Sequence, residues 1–107
     1  MYDLEITKEK IINNIKDVYD PEISINIYDL GLIYSIKTQE DNGEVTCDID
    51  MTLTSFACAV VDTLVERVEL AALMVEEVQD VNVNLVFEPP WNQENITYEG
   101  RLELGLL

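Results

Sequence analysis

From Glu44 to Thr54 the chain reads EVTCDIDMTLT, and apolar and polar positions alternate without a break. Val45, Cys47, Ile49, Met51 and Leu53 fall on one side of an extended chain, while Thr46, Asp48, Asp50, Thr52 and Thr54 fall on the other. Successive strand side chains point to opposite faces, so this run predicts a strand with one buried and one wet face. A second alternating run begins at Leu32, with Leu32, Tyr34 and Ile36 on one face and Ser35 and Lys37 on the other. Asn42-Gly43 lies between the two runs. Both residues tolerate positive φ, as a two-residue hairpin turn requires, so the pair predicts an antiparallel hairpin.

Helical spacing flanks the hairpin. Ile11, Ile12, Ile15, Val18 and Tyr19 predict a helix over roughly 8–19, with Thr7 as its N-cap and Ile6 and Ile11 as a hydrophobic staple. Asp20-Pro21 ends it, since the residue before proline avoids the α region. A second helix is predicted from about Phe56 to Glu77. Its buried stripe is Val61, Leu64, Val65, Val68, Ala71, Ala72, Val75 and Val78, and Glu66, Arg67, Glu69, Glu76 and Glu77 face water. DVNVNLVF (80–87) predicts a third strand with Val81, Val83, Leu85 and Phe87 inward, stopped by Pro89-Pro90. The tail TYEGRLELGLL has the pattern of a short helix, weakened by Gly100 and Gly105. The expected fold is a two-layer α+β domain over residues 1–107. Its order is α-β-β-α-β, with a small sheet and helices packed on one face.

Charge narrows the function. The chain carries 22 acidic and 6 basic residues, a formal net charge of −16. It would repel a phosphate backbone or an anionic membrane, which sets aside both nucleic-acid and membrane binding and leaves cations, metal centres or basic protein faces as partners. Histidine is absent, so there is no imidazole ligand, no usual general base and no Cys–His pair. The N-terminal MYDLEITKEK lacks the apolar core of a signal peptide, and no apolar run approaches the ~18 residues of a membrane span. Cys47 on the core face and Cys58 beyond the strand end are too far apart for a disulfide, which predicts two thiols in a reducing cytoplasm.

Four features could carry chemistry. With Thr54 or Ser55 as N-cap, Cys58 enters the first helical turn, where backbone N–H groups favour a thiolate; the alternative is a small buried residue. Cys47, among Val45, Ile49 and Met51, reads as packing. Asp20, Glu22 and Asp29 share one loop with Gly31, where they either hold a hard cation or cap turns through Asx-type bonds. Trp91, after Pro89-Pro90, either lids the sheet end or meets a partner. One thiol on the working face cannot close a four-thiolate iron–sulfur site, so any cluster needs a second chain, a client, a small thiol or oxygen ligands.

DPEISINIYDLGLIY (20–34), MTLTSFACA (51–59), VFEPPW (86–91) and RLELG (101–105) occur together and in order. In this the chain resembles the SufT/PaaD family of small iron–sulfur assembly proteins. The resemblance implies an α+β fold and a non-enzymatic role in cytoplasmic iron–sulfur maturation. The protein would act as a transient cluster carrier or as an adaptor between the assembly machinery and recipient apoproteins. Alternatives are a purely structural adaptor or an accessory protein of an aromatic-ring (phenylacetate-type) oxygenase pathway. The resemblance assigns the reactive, metal-binding cysteine to Cys58, the DPE aspartate to Asp20 and the DLG aspartate to Asp29, with Thr54 and Ser55 shaping the turn. The cluster would be transient and shared with a partner chain, and a homodimer would supply two thiols. Where the family reads Ser-Pro-Gly-Cys-Pro, this chain has Ser55-Phe56-Ala57-Cys58-Ala59, without the prolines that preset φ.

Overall fold

The computed structural model describes residues 3–19, 25–53 and 61–105. Helix α1 (Leu4–Ile15) leads through a loop into β1 (Ile33–Asp41) and β2 (Glu44–Met51). Helix α2 (Val61–Leu73), β3 (Val78–Leu85), a 3₁₀ turn (Gln93–Asn95) and α3 (Tyr98–Leu104) follow. The sheet order is β1-β2-β3. β1 and β2 pair antiparallel, and β3 pairs parallel to β2, so α2 belongs to a β-α-β crossover. Helices α1 and α2 pack on each other, on β1 and on β3, which is the predicted α+β layering.

The hairpin forms as the pattern requires. Asn42 and Gly43 adopt φ of 54° and 80° between the paired Asp41 and Glu44. Val45, Cys47, Ile49 and Met51 are all buried with Leu64, Val68, Ala72 and the α1 residues Ile11 and Ile15. The other face carries Asp48 and Asp50, which accept hydrogen bonds from Asn82 and Asn84 on β3, each at 3.2 Å. Cys47 is buried and unpaired. Burial first, and the neighbouring Asp48 charge second, push its thiol up to about 11.

Several boundaries and faces differ from the pattern. Asp3, rather than Thr7, caps α1; its carboxylate accepts from Glu5 N–H at 3.0 Å and from Ile6 N–H. Ile6 therefore lies inside α1, half exposed, and is not the residue before the N-cap that a staple requires. Thr7 lies inside the helix and is buried because its hydroxyl donates to Glu77 Oε2 at 2.7 Å. Glu77 is therefore not a solvent-facing helix residue. Helix α2 ends at Leu73, and Glu77 precedes β3 with 8% exposure. The hydrogen bond from Thr7, that from its own backbone N–H, and Lys10 Nζ 3.3 Å away hold its carboxyl below the usual glutamate range despite burial.

Two bulges shift the strand faces. In β1, Ile33 pairs with Met51 and Ser35 with Asp50, so Tyr34 is the extra residue. Ile33 packs against the core in its place. In β3, Val78 pairs with Val45 and Asp80 with Thr46, so Gln79 is extra, and Val78 and Val81 both face inward. β3 ends at Leu85, and Phe87, expected inward, is 42% exposed. The predicted start of α2 at Phe56 lies outside the described residues.

Two expectations follow. Thr7→Val should lower stability at neutral pH by about 1–3 kcal/mol, the cost of leaving a buried carboxylate short of a donor. A carboxyl lowered in the folded state stabilises above its unfolded value and loses that contribution as pH falls through its folded one. The wild-type advantage in urea unfolding should therefore shrink under acid, and a pH-independent difference would contradict this reading of Glu77. In native Cys58→Ser protein, Cys47 should resist alkylation at neutral pH and react only after unfolding, as read by mass spectrometry.

Candidate functional site

The sheet topology gathers three chain segments at one end. Ile33, where β1 begins, pairs with Met51, where β2 ends, and Met51 pairs with Leu85, where β3 ends. Residues 25–32, the chain leaving β2 and residues 86–97 therefore meet there. Thr52 N–H donates to Leu32 O, and Val86 N–H donates to Met51 O, both at 2.8 Å.

Asp29 organises this end. Asn26 and Asp29 form an Asx-type turn: Asp29 N–H donates to Asn26 Oδ1 at 2.8 Å, and Asn26 Nδ2 donates to Asp29 Oδ2 at 2.9 Å. The remaining oxygen, Oδ1, accepts from the Thr97 hydroxyl at 3.0 Å, and Asp29 O accepts from Thr97 N–H at 2.8 Å. Thr97 is also the N-cap of α3, its Oγ1 accepting from Gly100 N–H at 3.1 Å. One carboxylate thus ties the loop before β1 to the C-terminal segment. A Cβ on Gly100 would sit 2.9 Å from Asp29 O, so α3 docks because that side chain is missing. Gly31 has φ of +85°, and a Cβ there would strike the Asn95 carbonyl.

Trp91 closes the arrangement. Its indole N–H donates to Leu30 O at 2.8 Å, and its ring packs against the core. Of the two readings left open by the sequence, this geometry is that of a lid. Beside it, an open depression of about 280 Å³ is lined by Tyr28, Gly31, Ile33, Tyr34, Asn95 and Thr97. The Tyr34 hydroxyl donates to Pro89 O at 2.7 Å.

Of the residues singled out in the sequence, Asp29 is placed as described. Asp20, Thr54, Ser55 and Cys58 lie outside the described residues. Tyr19 forms a β-bridge with Asn26, and Leu53, two residues after β2, packs against the core. Among the described residues, no three or more Cys, Asp or Glu side chains are grouped as a metal site would require. Sequence reasoning missed Asn26 and Thr97. The signal was present in the Asn-x-x-Asp spacing of an Asx turn and in a Thr three residues before Gly100.

Known proteins share this frame. Residues 8–85 match the family model of the iron–sulfur cluster assembly protein. A Porphyromonas gingivalis protein named Fe-S protein maturation auxiliary factor is 44% identical, covering 94% of this chain and 93% of its own. The Bacillus subtilis Fe-S protein maturation auxiliary factor YitW is 34% identical over 95% of this chain and 97% of its own. The Staphylococcus aureus factor SufT is also 34% identical, over 83% of this chain and 98% of its own. A Bacillus anthracis crystal structure described as a domain of unknown function superposes with a TM-score of 0.81 at 33% identity, covering 96% of this chain and 95% of the other. With the α+β frame and these matches in agreement, the chain belongs to the iron–sulfur cluster assembly protein family and is SufT-like.

Proposed function

We propose that this protein is a non-catalytic iron–sulfur maturation factor that passes clusters, as cargo, between assembly machinery and recipient apoproteins in the cytoplasm. The observation that carries this reading is near-full-length similarity to three proteins named as Fe-S protein maturation auxiliary factors. Those names favour general maturation over service to an aromatic-ring oxygenase.

Chemistry then selects the ligand. The chain has two cysteines. Cys47 is sealed in the core, with its thiol pushed up to about 11, far from the thiolate that iron requires. Cys58 is the thiol left for a cluster. One thiolate per chain makes the bound state transient and shared, with a second copy or the client supplying the other ligands. Asp29 serves as a positioning residue, since both of its oxygens already accept hydrogen bonds. Asp20, Thr54 and Ser55 complete the surroundings of Cys58 in this proposal. The second reading is an adaptor that recruits a basic client without touching metal; the net charge of −16 favours it.

Anaerobic reconstitution followed by transfer to an apoprotein separates the two. Cys58→Ser should lose bound iron and transfer by at least about tenfold, a free-energy change of about 1.4 kcal/mol or more. Equal loading and delivery would leave the adaptor. Asp29→Ala should cost about 1–3 kcal/mol in urea unfolding, from the stranded Thr97 and Asn26 donors, while folded protein still takes up iron. Loss of iron at unchanged stability would instead make Asp29 a ligand.

A further inference from the structure

The helix layer carries a second feature, a groove between α1 and α2. α1 and α2 run antiparallel: Asn14 Nδ2 donates to Ala71 O at 3.0 Å, while Thr7 and Lys10 reach Glu77 at the far end. Between them lies a groove of about 370 Å³, with Val18, Leu70, Ala71 and Met74 in its lining. It does not close over its apolar residues. Met74 is 77% exposed and Leu70 54%, and Leu73, outside the lining but three residues on from Leu70, is 37% exposed. Single exposed apolar side chains are ordinary, but three on one helical stripe beside an apolar groove mark a contact surface.

The surrounding charge specifies what would bind. Glu66 and Glu69 are exposed one turn before Leu70 and Leu73, and Glu76 is exposed just beyond α2. Asp17 lines the groove, and among the described residues Arg67 is the one basic group in its lining. No basic residue stands in the last turn of α2, so the negative end of its dipole has no cation from its own last turn. A second copy of this chain would bring another −16 and set acidic rim against acidic rim.

We infer that the α1–α2 groove is a docking site for a basic amphipathic helix of a partner protein. Its apolar stripe would lie on Leu70, Leu73 and Met74, and its Lys or Arg side chains would face Asp17, Glu66, Glu69 and Glu76. Helix-in-groove recognition uses this division of labour, and a methionine edge adapts to different anchors.

The test uses the full-length protein and a synthetic amphipathic Leu/Lys peptide of about 18 residues, long enough to hold a helix. A scrambled peptide of the same composition is the control. Isothermal titration calorimetry should give binding of the amphipathic peptide that is at least about tenfold tighter than the scrambled one, because the charge term is common to both. Leu70→Ser/Met74→Ser, checked for fold by circular dichroism, should weaken it by about tenfold or more, as should Glu66→Lys/Glu69→Lys. Cys58→Ser should bind as wild type does, so failure of the cluster reading leaves this result standing. Equal affinity for the two peptides, or full affinity in the Leu70→Ser/Met74→Ser protein, would overturn the proposal. So would a dimer in sedimentation that the same double substitution dissolves and that excludes the peptide.

Discussion

The Asp29 carboxylate is the interaction on which the end of the sheet beside β1 depends. It fixes its own turn through Asn26 and the C-terminal segment through Thr97, and Thr97 in turn caps α3. The 25–32 loop, which has no regular backbone ladder of its own, thereby gains a wall. Gly31 and Gly100 let that wall approach to backbone distance, and the Trp91–Leu30 bond holds its middle. Buried polar groups that are all satisfied in this way rigidify a site, whereas removing one partner strands the rest. The DLG and EPPW stretches are thus two halves of one contact.

Much of this was legible in the sequence, for identifiable reasons. β2 reads clearly because it is the central strand with one dry face, so every inward position must be apolar. The hairpin reads clearly because Asn-Gly meets a backbone demand. The ends of α1 and α2 did not, because two polar residues carry the opposite of their usual meaning. Thr7 is a good cap by type but is buried as the hydrogen-bond partner of Glu77, and Glu77 is buried because Thr7 and Lys10 satisfy it. Neither fact is visible without the other, and they are 70 positions apart. The strand faces slipped for a similar reason: a bulge moves one residue out of phase, and alternation alone cannot announce it. At this end, Asp29 was singled out from the sequence with an Asx-type turn as one reading, but the turn's acceptor is Asn26, and the partner Thr97 depends on a tertiary contact. The tail glycines read as helix breakers until α3 was seen to need the space at Gly100 and a left-handed cap at Gly105.

The two cysteines show how environment divides one chemistry. Cys47 sits in the interior of the central strand, where ionisation is opposed by burial and by Asp48. Its position makes it a small apolar residue that happens to contain sulfur. That removes a competing thiol from the protein, which matters in a factor whose relatives mature iron–sulfur proteins.

The two bulges have a consequence for how the protein behaves in a crowded solution. Among the described residues, β1 and β3 each pair with a strand on one side only, and an open strand edge invites edge-to-edge polymerisation. Here each bulge lies on an outer strand, at Tyr34 in β1 and Gln79 in β3. The charged residues Lys37, Asp41 and Asp80 stand along the same strands. A second molecule offering a straight strand would have to match a kinked ladder while burying charge. The irregularities that spoil the sequence pattern are thus of the kind that opposes edge-to-edge growth of a sheet.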